Sequence, residues 1–474
     1  MLIRHSFLYL SGRIVPALAS LATLFLYTRI LGVEQYGNYA LVVAASGVAN
    51  AICFQWINLS LGRFFSLTSD NRALLSSVLA GFFIMMAVTG VVSGIVMCLT
   101  GSTFHKFLIA VTTIICWAQA WFELNTKILN ARLQASRYSY LTSLKAILVF
   151  GGSVLFFYYG LGFYGIFAGL VIGLLVPTAL ARMLWKGVSL SHLNRTTFTA
   201  ILRYGAPLTL SFGSAVILSV SDRFFLKKFL GTESVGLYAA AFDLTQQSLG
   251  MLMSVINLAA FPLVLQALNT HGATVAQSKL RESGEILLAA AIPAAVGLSI
   301  LSENIGSVLL GHEFQSGADK VISIVALSAL ASGIRSYYFD YSFHLSKNVR
   351  GQVIAIISAA VLNIFVNIIL IPLLGTLGAA IASLASACFG IVMSWILGRA
   401  EFPVPKLTDV FYKVSAAAFG MALVLWPIRE SHGLLSLVGQ ILTGLAVYLL
   451  IAYALDIVNL RGRVKQYINK FSAT

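Results

Sequence analysis

The sequence predicts an all-α, polytopic membrane protein with about 14 transmembrane helices, and three observations support this. First, its 474 residues are 59% hydrophobic and only 10% charged, with a mean hydropathy of +0.90, which excludes an ordinary soluble domain. Second, apolar runs such as AGFFIMMAVTGVVSGIVMCL can cross a hydrocarbon core about 30 Å thick as helices rising about 1.5 Å per residue. Third, one ten-residue stretch recurs with six of its ten residues unchanged, which predicts two related halves.

The hydropathy pattern assigns each predicted helix to a stretch of sequence. These stretches lie near residues 7–28, 37–60, 75–99, 107–125, 141–159, 163–184, 204–226, 236–264, 286–310, 320–343, 352–373, 376–398, 410–428 and 434–456. Twelve helices remain the alternative if the last pair is misassigned. Either even number places both termini on the same side of the membrane.

The internal repeat joins LGVEQYGNYA, Leu31 to Ala40, with LGTESVGLYA, Leu230 to Ala239. Six of ten positions agree at an offset of 199, and a weaker echo joins LGFYGIFAGL with LGTLGAAIAS at an offset of 213. Turn chemistry alone could place the glycines, but it does not explain the matching Glu, Tyr and Ala. An even number of crossings separates the copies, so the halves form a parallel repeat about the membrane normal. We therefore expect six-helix lobes at 1–190 and 200–400, then an additional helix pair and a cytoplasmic tail at 405–474.

The distribution of basic residues predicts the orientation. With the N-terminus inside, the short outer connections carry only 7 of the 31 Lys and Arg, so both termini should face the cytoplasm. The net charge of +15 then reflects topology and attraction to anionic lipid headgroups. We expect no nucleic-acid partner, because no basic, aromatic-laced soluble segment is present.

Motifs for catalysis or cofactor binding are not found in the sequence. It has no GxxxxGK[ST] phosphate loop, the seven His are scattered without metal-ligand spacing, and no nucleophile with its base can be assembled. The sequence therefore predicts no metal site, no bound cofactor and no enzyme.

Three stretches carry a resemblance to a known family: TRILGVEQYGNYA, SDRFFLKKFLGTESVGLYAAAFD and IPLLGTLGAAIAS. They resemble the Wzx-type O-antigen and exopolysaccharide flippases of the MOP superfamily, which also holds the MATE drug exporters and the lipid II flippase. The resemblance implies a bacterial inner-membrane protein that moves undecaprenyl-pyrophosphate-linked oligosaccharide from the cytoplasmic to the periplasmic leaflet by alternating access. It also implies polysaccharide biosynthesis proteins as partners and H⁺ or Na⁺ as the coupling ion.

A pyrophosphate needs a cationic path, so arginines are the first candidates for substrate binding. Arg13 lies within the first predicted helix, Arg63 at the end of the second, Arg223 near the outer end of the seventh and Arg335 inside the tenth. Arg13 could instead snorkel to the surface, and Arg63 could be a topology anchor. Arg335 is the strongest candidate because Tyr338 and Ser342 have the spacing that shares its helical face.

Carboxylates inside predicted helices are the candidates for ion coupling. Asp222 lies near the outer end of the seventh helix, where an interfacial cap is the alternative. Asp243 begins a polar stripe with Gln247, Gly250 and Ser254 on the eighth helix, where a buried ion pair is the alternative.

Two other functions stay open at this point. A MATE-like, cation-coupled exporter of small molecules would prefer acidic cavity residues. A membrane-embedded polysaccharide polymerase or ligase would need a large outer loop, and the longest outer loop predicted here is short.

Overall fold

A computed structural model describes residues 2–65 and 71–462, without the side chains of residues 2–14, 71 and 211. Its regular elements, over the described residues, are all helices. Within these described ranges, eleven helices are long and apolar enough to span a membrane, or up to 12 if the bent pair Val33–Cys53 and Gln55–Phe64 forms one span. The all-α, multi-pass class is confirmed, whereas the count of 14 is not.

The chain divides into two compact units, and the first comprises Met1–Leu26 and Glu34–Phe224. The helices that contribute to this unit are α1 (Leu2–Ile30), α2 (Val33–Cys53), α3 (Gln55–Phe64), α4 (Asn71–Leu99), α5 (Thr103–Ala131), α6 (Ala135–Phe156), α7 (Gly162–Leu180) and most of α8 (Arg195–Leu230).

The second unit comprises Tyr27–Val33 and Phe225–Thr474. Its helices are α9 (Thr232–Thr245), α10 (Met251–His271), α11 (Ala273–Ile300), α12 (Ser302–Leu309), α13 (Ala318–Ile334), α14 (Tyr341–Ser346), α15 (Arg350–Leu374), α16 (Thr376–Gly398), α17 (Thr408–Leu425) and α18 (Leu434–Ala454). The predicted tail beyond residue 462 lies outside the described residues.

Polar side chains join the helices of the first unit. Trp117 of α5 donates its indole N–H to Thr89 Oγ1 of α4 at 2.8 Å. Ser60 of α3 donates to the Ile201 carbonyl of α8 at 2.8 Å. In lipid the hydrophobic effect does not drive helices together, so close packing must hold such a bundle. Hydrogen bonds between helices add to this packing.

The second echo of the repeat has a direct structural counterpart. Gly162 ends the turn between α6 and α7 with φ 49° and ψ −131°, and Gly375 ends the turn between α15 and α16 with φ 64° and ψ −136°. Three residues later, Gly165 and Gly378 lie against the backbone of the preceding helix, where a Cβ would collide. Both hairpins need glycine at both positions, because only glycine adopts this conformation freely and permits this approach.

The first repeated turn packs within the second unit. Arg29 Nη2 donates to the Val308 carbonyl of α12 at 2.8 Å. Gly236, in the second copy of the repeat, lies against the Val33 carbonyl in the first copy, where a Cβ would collide. The two copies of the repeated sequence therefore contact each other.

Two membrane segments of the second unit contain a π-helical turn. Residues Gln246–Gly250 form one between α9 and α10, and Arg335–Phe339 form the other between α13 and α14. A π-turn holds one residue more than an α-turn, so the side chains beyond it rotate to a different face. Such turns often occur at functional sites.

Candidate functional site

A cavity of about 450 Å³ lies among the helices of the first unit, with a mostly apolar lining that includes several polar side chains. One face of α2 contributes Tyr39, Val43, Ser46, Gly47 and Asn50, spaced as residues on one side of an α-helix are. The other polar lining residues are Gln55, Gln119, Glu123 and Lys145.

Four of these side chains form a continuous hydrogen-bonded cluster. Asn50 Nδ2 donates to Glu123 Oε2 at 3.0 Å, and Gln119 Nε2 donates to Glu123 Oε1 at 2.6 Å. Lys145 Nζ donates to Gln119 Oε1 at 3.1 Å and lies 4.7 Å from the centre of the Phe122 ring. The amide of Gln119 thus bridges an ammonium and a carboxylate, with its oxygen towards the donor and its nitrogen towards the acceptor.

Both charges of this cluster belong to candidate membrane spans. Glu123 lies in Thr103–Ala131 and Lys145 in Ala135–Leu180. A lysine at the bilayer centre costs about 2.5 to 3.5 kcal/mol on insertion scales, and intramembrane charges usually mark a transport path. Neither residue was predicted as a site residue. Lys145 counts only towards the inner-side positive charge in the predicted topology. A lone charge within an apolar run was the signal that could have found them.

The second unit contains a buried ion pair. Arg335 Nη1 lies 3.6 Å from Asp340 Oδ2, and the two side chains are 11% and 2% exposed. Ser394 Oγ of α16 donates to Asp340 Oδ1 at 2.7 Å, and Gln352 Nε2 of α15 donates to Oδ2 at 3.3 Å. Asp340 therefore connects three membrane segments, although it was not among the candidates predicted from the sequence.

Tyr338 does not share the surroundings of Arg335, contrary to the predicted face. Arg335 packs along Gly390 of α16, whereas the Tyr338 ring lies against Gly284 of α11 and its hydroxyl donates to the Pro405 carbonyl. The π-turn that contains both residues separates them, because the predicted spacing assumed 3.6 residues per turn. Tyr338 also borders an apolar cavity of about 570 Å³.

The carboxylate candidates lie on two helices. Asp222 and Arg223 are both buried on α8, at 1% and 5% exposure. Asp243 is partly buried on α9, and Gln247 lies within the π-turn that follows, where its buried Oε1 has no hydrogen-bond partner. This turn interrupts the regular stripe that the sequence predicted beyond Gln247.

The remaining arginine candidates lie apart from these groups. Arg63 is exposed at the end of α3, with its guanidinium carbon 4.7 Å from the centre of the Tyr204 ring. Tyr204 and Asp222 are 18 positions apart on α8, about 27 Å at 1.5 Å per residue, so Arg63 and Asp222 do not form one site. The Arg13 side chain lies outside the described residues.

Metal binding finds no support in the part of the chain that the structure describes. No group of three or more His, Cys, Asp or Glu side chains there could hold an ion.

Curated relatives of the chain are flippases and transporters by name. It is 28% identical over 171 residues to the "Probable lipid II flippase MurJ" of Thermotoga maritima, and 26% identical over 260 residues to the "Probable flippase AglR" of Haloferax volcanii. These matches span 35% and 52% of both chains compared. A match to the "Putative O-antigen transporter" of Shigella flexneri, at 21% identity, spans 84% of this chain and 98% of that protein.

Solved structures share the fold. A lipid II flippase MurJ in an inward closed conformation superposes with a TM-score of 0.80 at 18% identity, over 95% of this chain and 99% of that one. An inward-facing MATE multidrug transporter of the MOP superfamily superposes with a TM-score of 0.59 at 15% identity, over 84% and 98%. The chain therefore shares its fold with these two transporters.

Family membership follows from the match over more than half of the chain. Residues 2–268 match the family described as polysaccharide biosynthesis protein. Together with the apolar helices and the flippase relatives, this match shows that the chain is a multi-pass membrane protein of the polysaccharide biosynthesis protein family, with a fold like that of the lipid II flippase MurJ.

Proposed function

We propose that the protein moves undecaprenyl-pyrophosphate-linked oligosaccharide from the cytoplasmic to the periplasmic leaflet of the bacterial inner membrane by alternating access. The observation that carries this proposal is the hydrogen-bonded cluster of Lys145, Gln119, Glu123 and Asn50, which forms a polar part of the lining of a cavity within an apolar helical unit. A hydrated glycan needs such a polar lining to leave water, whereas a polyprenyl chain can stay in lipid.

The experiment measures the leaflet in which the lipid-linked oligosaccharide accumulates. Cells that lack the protein are labelled with a membrane-impermeant reagent that reaches only periplasmic glycan. The proposal expects single repeat units to accumulate facing the cytoplasm, and wild-type protein to restore their labelling. If single units reach the periplasm normally while no polymer forms, the protein acts after flipping and the polymerase or ligase alternative replaces the proposal.

Variants connect this assay to the cavity. Lys145→Met should slow labelling about tenfold, equivalent to about 1.4 kcal/mol of lost stabilisation. Lys127→Met is the matched control, since Lys127 is a partly buried lysine of α5 that does not line the cavity. Equal labelling rates for the two variants at equal expression would show that transport does not depend on the Lys145 side chain in the cavity.

Glu123 supports a second candidate, a MATE-like exporter of cationic small molecules coupled to H⁺ or Na⁺. A carboxylate at the cavity wall is what such an exporter would use, and the MATE fold likeness is compatible with it. Ethidium efflux from energised cells tests this candidate. Efflux that depends on the protein, together with normal glycan labelling in its absence, would favour the exporter.

A further inference from the structure

The cavity of the first unit is balanced in charge, which differs from the cationic path expected for pyrophosphate. Its lining contains one potential cation, Lys145, and one potential anion, Glu123, and its other polar lining groups are neutral. A pyrophosphate placed here would gain attraction from Lys145 and meet repulsion from Glu123. An uncharged hydroxyl group meets no such conflict.

The cluster has both donors and acceptors that can form further hydrogen bonds. Asn50 is only 6% exposed, and its buried Oδ1 has no hydrogen-bond partner. The Lys145 ammonium has three N–H donors, of which Gln119 takes one. Each Glu123 oxygen accepts one bond from an amide and can accept another. Donors and acceptors for a further ligand therefore lie close together.

Sugar hydroxyls match this arrangement because each both donates and accepts a hydrogen bond. Neighbouring hydroxyls of one ring could contact Lys145 and Glu123 together. Most of the other lining residues are apolar or aromatic, including Tyr39 and Phe212, and suit the C–H faces of a sugar ring. About 450 Å³ lies within the range of small-molecule pockets, roughly 300 to 1,000 Å³.

We infer that this cavity binds an uncharged, hydroxyl-bearing sugar residue of the transported glycan through Lys145, Glu123 and Asn50, and that the pyrophosphate binds elsewhere. This inference rests on the proposed function. The cavity would then contribute to substrate selectivity, because a site that hydrogen-bonds hydroxyl groups rejects a ligand that lacks them.

Saturation-transfer NMR on the full chain in lipid nanodiscs tests this inference. The probes are the methyl glycosides of glucose, galactose, mannose and N-acetylglucosamine, with inorganic pyrophosphate as the competitor. At least one glycoside should give a transfer signal that falls at least fivefold in Glu123→Gln and Lys145→Met and persists in Lys127→Met. Pyrophosphate should leave this signal unchanged.

A steric variant keeps the test valid if the charge variants fail to fold. Gly47 lines the cavity and has open space where a Cβ would stand, so Gly47→Leu should fill the cavity while every bond of the cluster remains. Gly94→Leu on α4 is the control, because Gly94 also has open space and does not line the cavity. Loss of the glycoside signal in Gly47→Leu alone supports the inference.

Two results would overturn the inference: displacement of the glycoside by pyrophosphate, or glycoside signals equal in wild-type and Gly47→Leu protein. A third result would separate it from the proposed function. If leaflet labelling shows that the protein acts after flipping while Gly47→Leu still abolishes the glycoside signal, the sugar site stands and the flippase function falls.

Discussion

Arg335 and Asp340 form a buried ion pair across five residues of one membrane segment, with Nη1 3.6 Å from Oδ2. In a continuous α-helix residues five apart point about 140° away from each other. Here the Asp340 N–H donates to the Arg335 carbonyl at 2.9 Å, which is the bond that defines a π-turn. The turn therefore brings the two charges to the same side of the segment.

Removing Asp340 should destabilise the protein more than removing Arg335 together with Asp340. Asp340→Ala leaves the Arg335 charge buried without its carboxylate, which typically costs about 3 to 5 kcal/mol. The double substitution Arg335→Met with Asp340→Asn removes both charges and should recover most of the loss. Thermal unfolding in detergent, followed by size-exclusion chromatography, measures the difference.

The same pair separates a structural role for Arg335 from a transport role. If Arg335 contacts the substrate, the double variant should be stable and still flip glycan at least tenfold more slowly. Lys320→Met, an exposed cation in the first turn of α13, is the control and should transport normally. A double variant that is both stable and fully active would leave Arg335 with a purely structural role.

The helical membrane fold could be predicted because apolar length and the repeated glycines are local properties of the sequence. The Gly162 and Gly375 turns illustrate this, since these two glycines, 213 positions apart in the repeat, have similar backbone angles. The number of membrane spans was harder to predict from the sequence. Gly160 has a non-helical φ of 95° between α6 and α7, so the 46-residue candidate span Ala135–Leu180 contains a helical hairpin and not one continuous helix.

The candidate site was predicted less well, for two physical reasons. The π-turn at Arg335–Phe339 depends on tertiary packing, so the predicted Tyr338 partnership was wrong and Asp340 was missed. The Glu123 and Lys145 cluster joins two helices through Gln119, and such cross-helix bonds have no fixed sequence spacing. The proposed roles of Asp222, Arg223 and Asp243 remain predictions.

The glycines of the two hairpins should be intolerant of even one methyl group. A Cβ at Gly165 would lie 2.7 Å from the Phe156 carbonyl carbon, and one at Gly378 would meet the Leu370 carbonyl. Gly165→Ala and Gly378→Ala should each cost about 1 to 3 kcal/mol by overpacking. Gly151→Ala, on α6 with open space around it, should be neutral or stabilising by up to about 1 kcal/mol. Unfolding temperatures in detergent check this, and equal temperatures for Gly151→Ala and Gly165→Ala would contradict it.

Asp243 is predicted to carry ion coupling. Asp243→Asn keeps the shape of the side chain and removes its charge, so insertion should be normal while transport driven by a proton or sodium gradient falls about tenfold. The measurement is glycan flipping in proteoliposomes with and without each gradient. Glu233→Gln, an exposed carboxylate in the first turn of the same helix, should retain full gradient dependence. Equal gradient dependence in both variants would remove Asp243 from the coupling site.

The C-terminal helix pair should depend on one buried amide network. Asn304 Nδ2 of α12 donates to Gln440 Oε1 of α18 at 2.8 Å, and Gln440 Nε2 donates to the carbonyls of Ile428 and Ser431. Gln440→Leu would remove the hydrogen bonds of Gln440, at about 1 kcal/mol for each bond lost, because Asn304 still donates to the Ser431 carbonyl and the Ile428 carbonyl still accepts from the Ser431 N–H. We expect faster proteolytic cleavage of the connection between α17 and α18, measured by limited trypsin digestion at Arg429. Ser436→Ala, which removes an exposed hydroxyl bonded to the same Ser431 carbonyl, is the control. Cleavage of Gln440→Leu at the rate of Ser436→Ala would show that packing alone holds the pair in place.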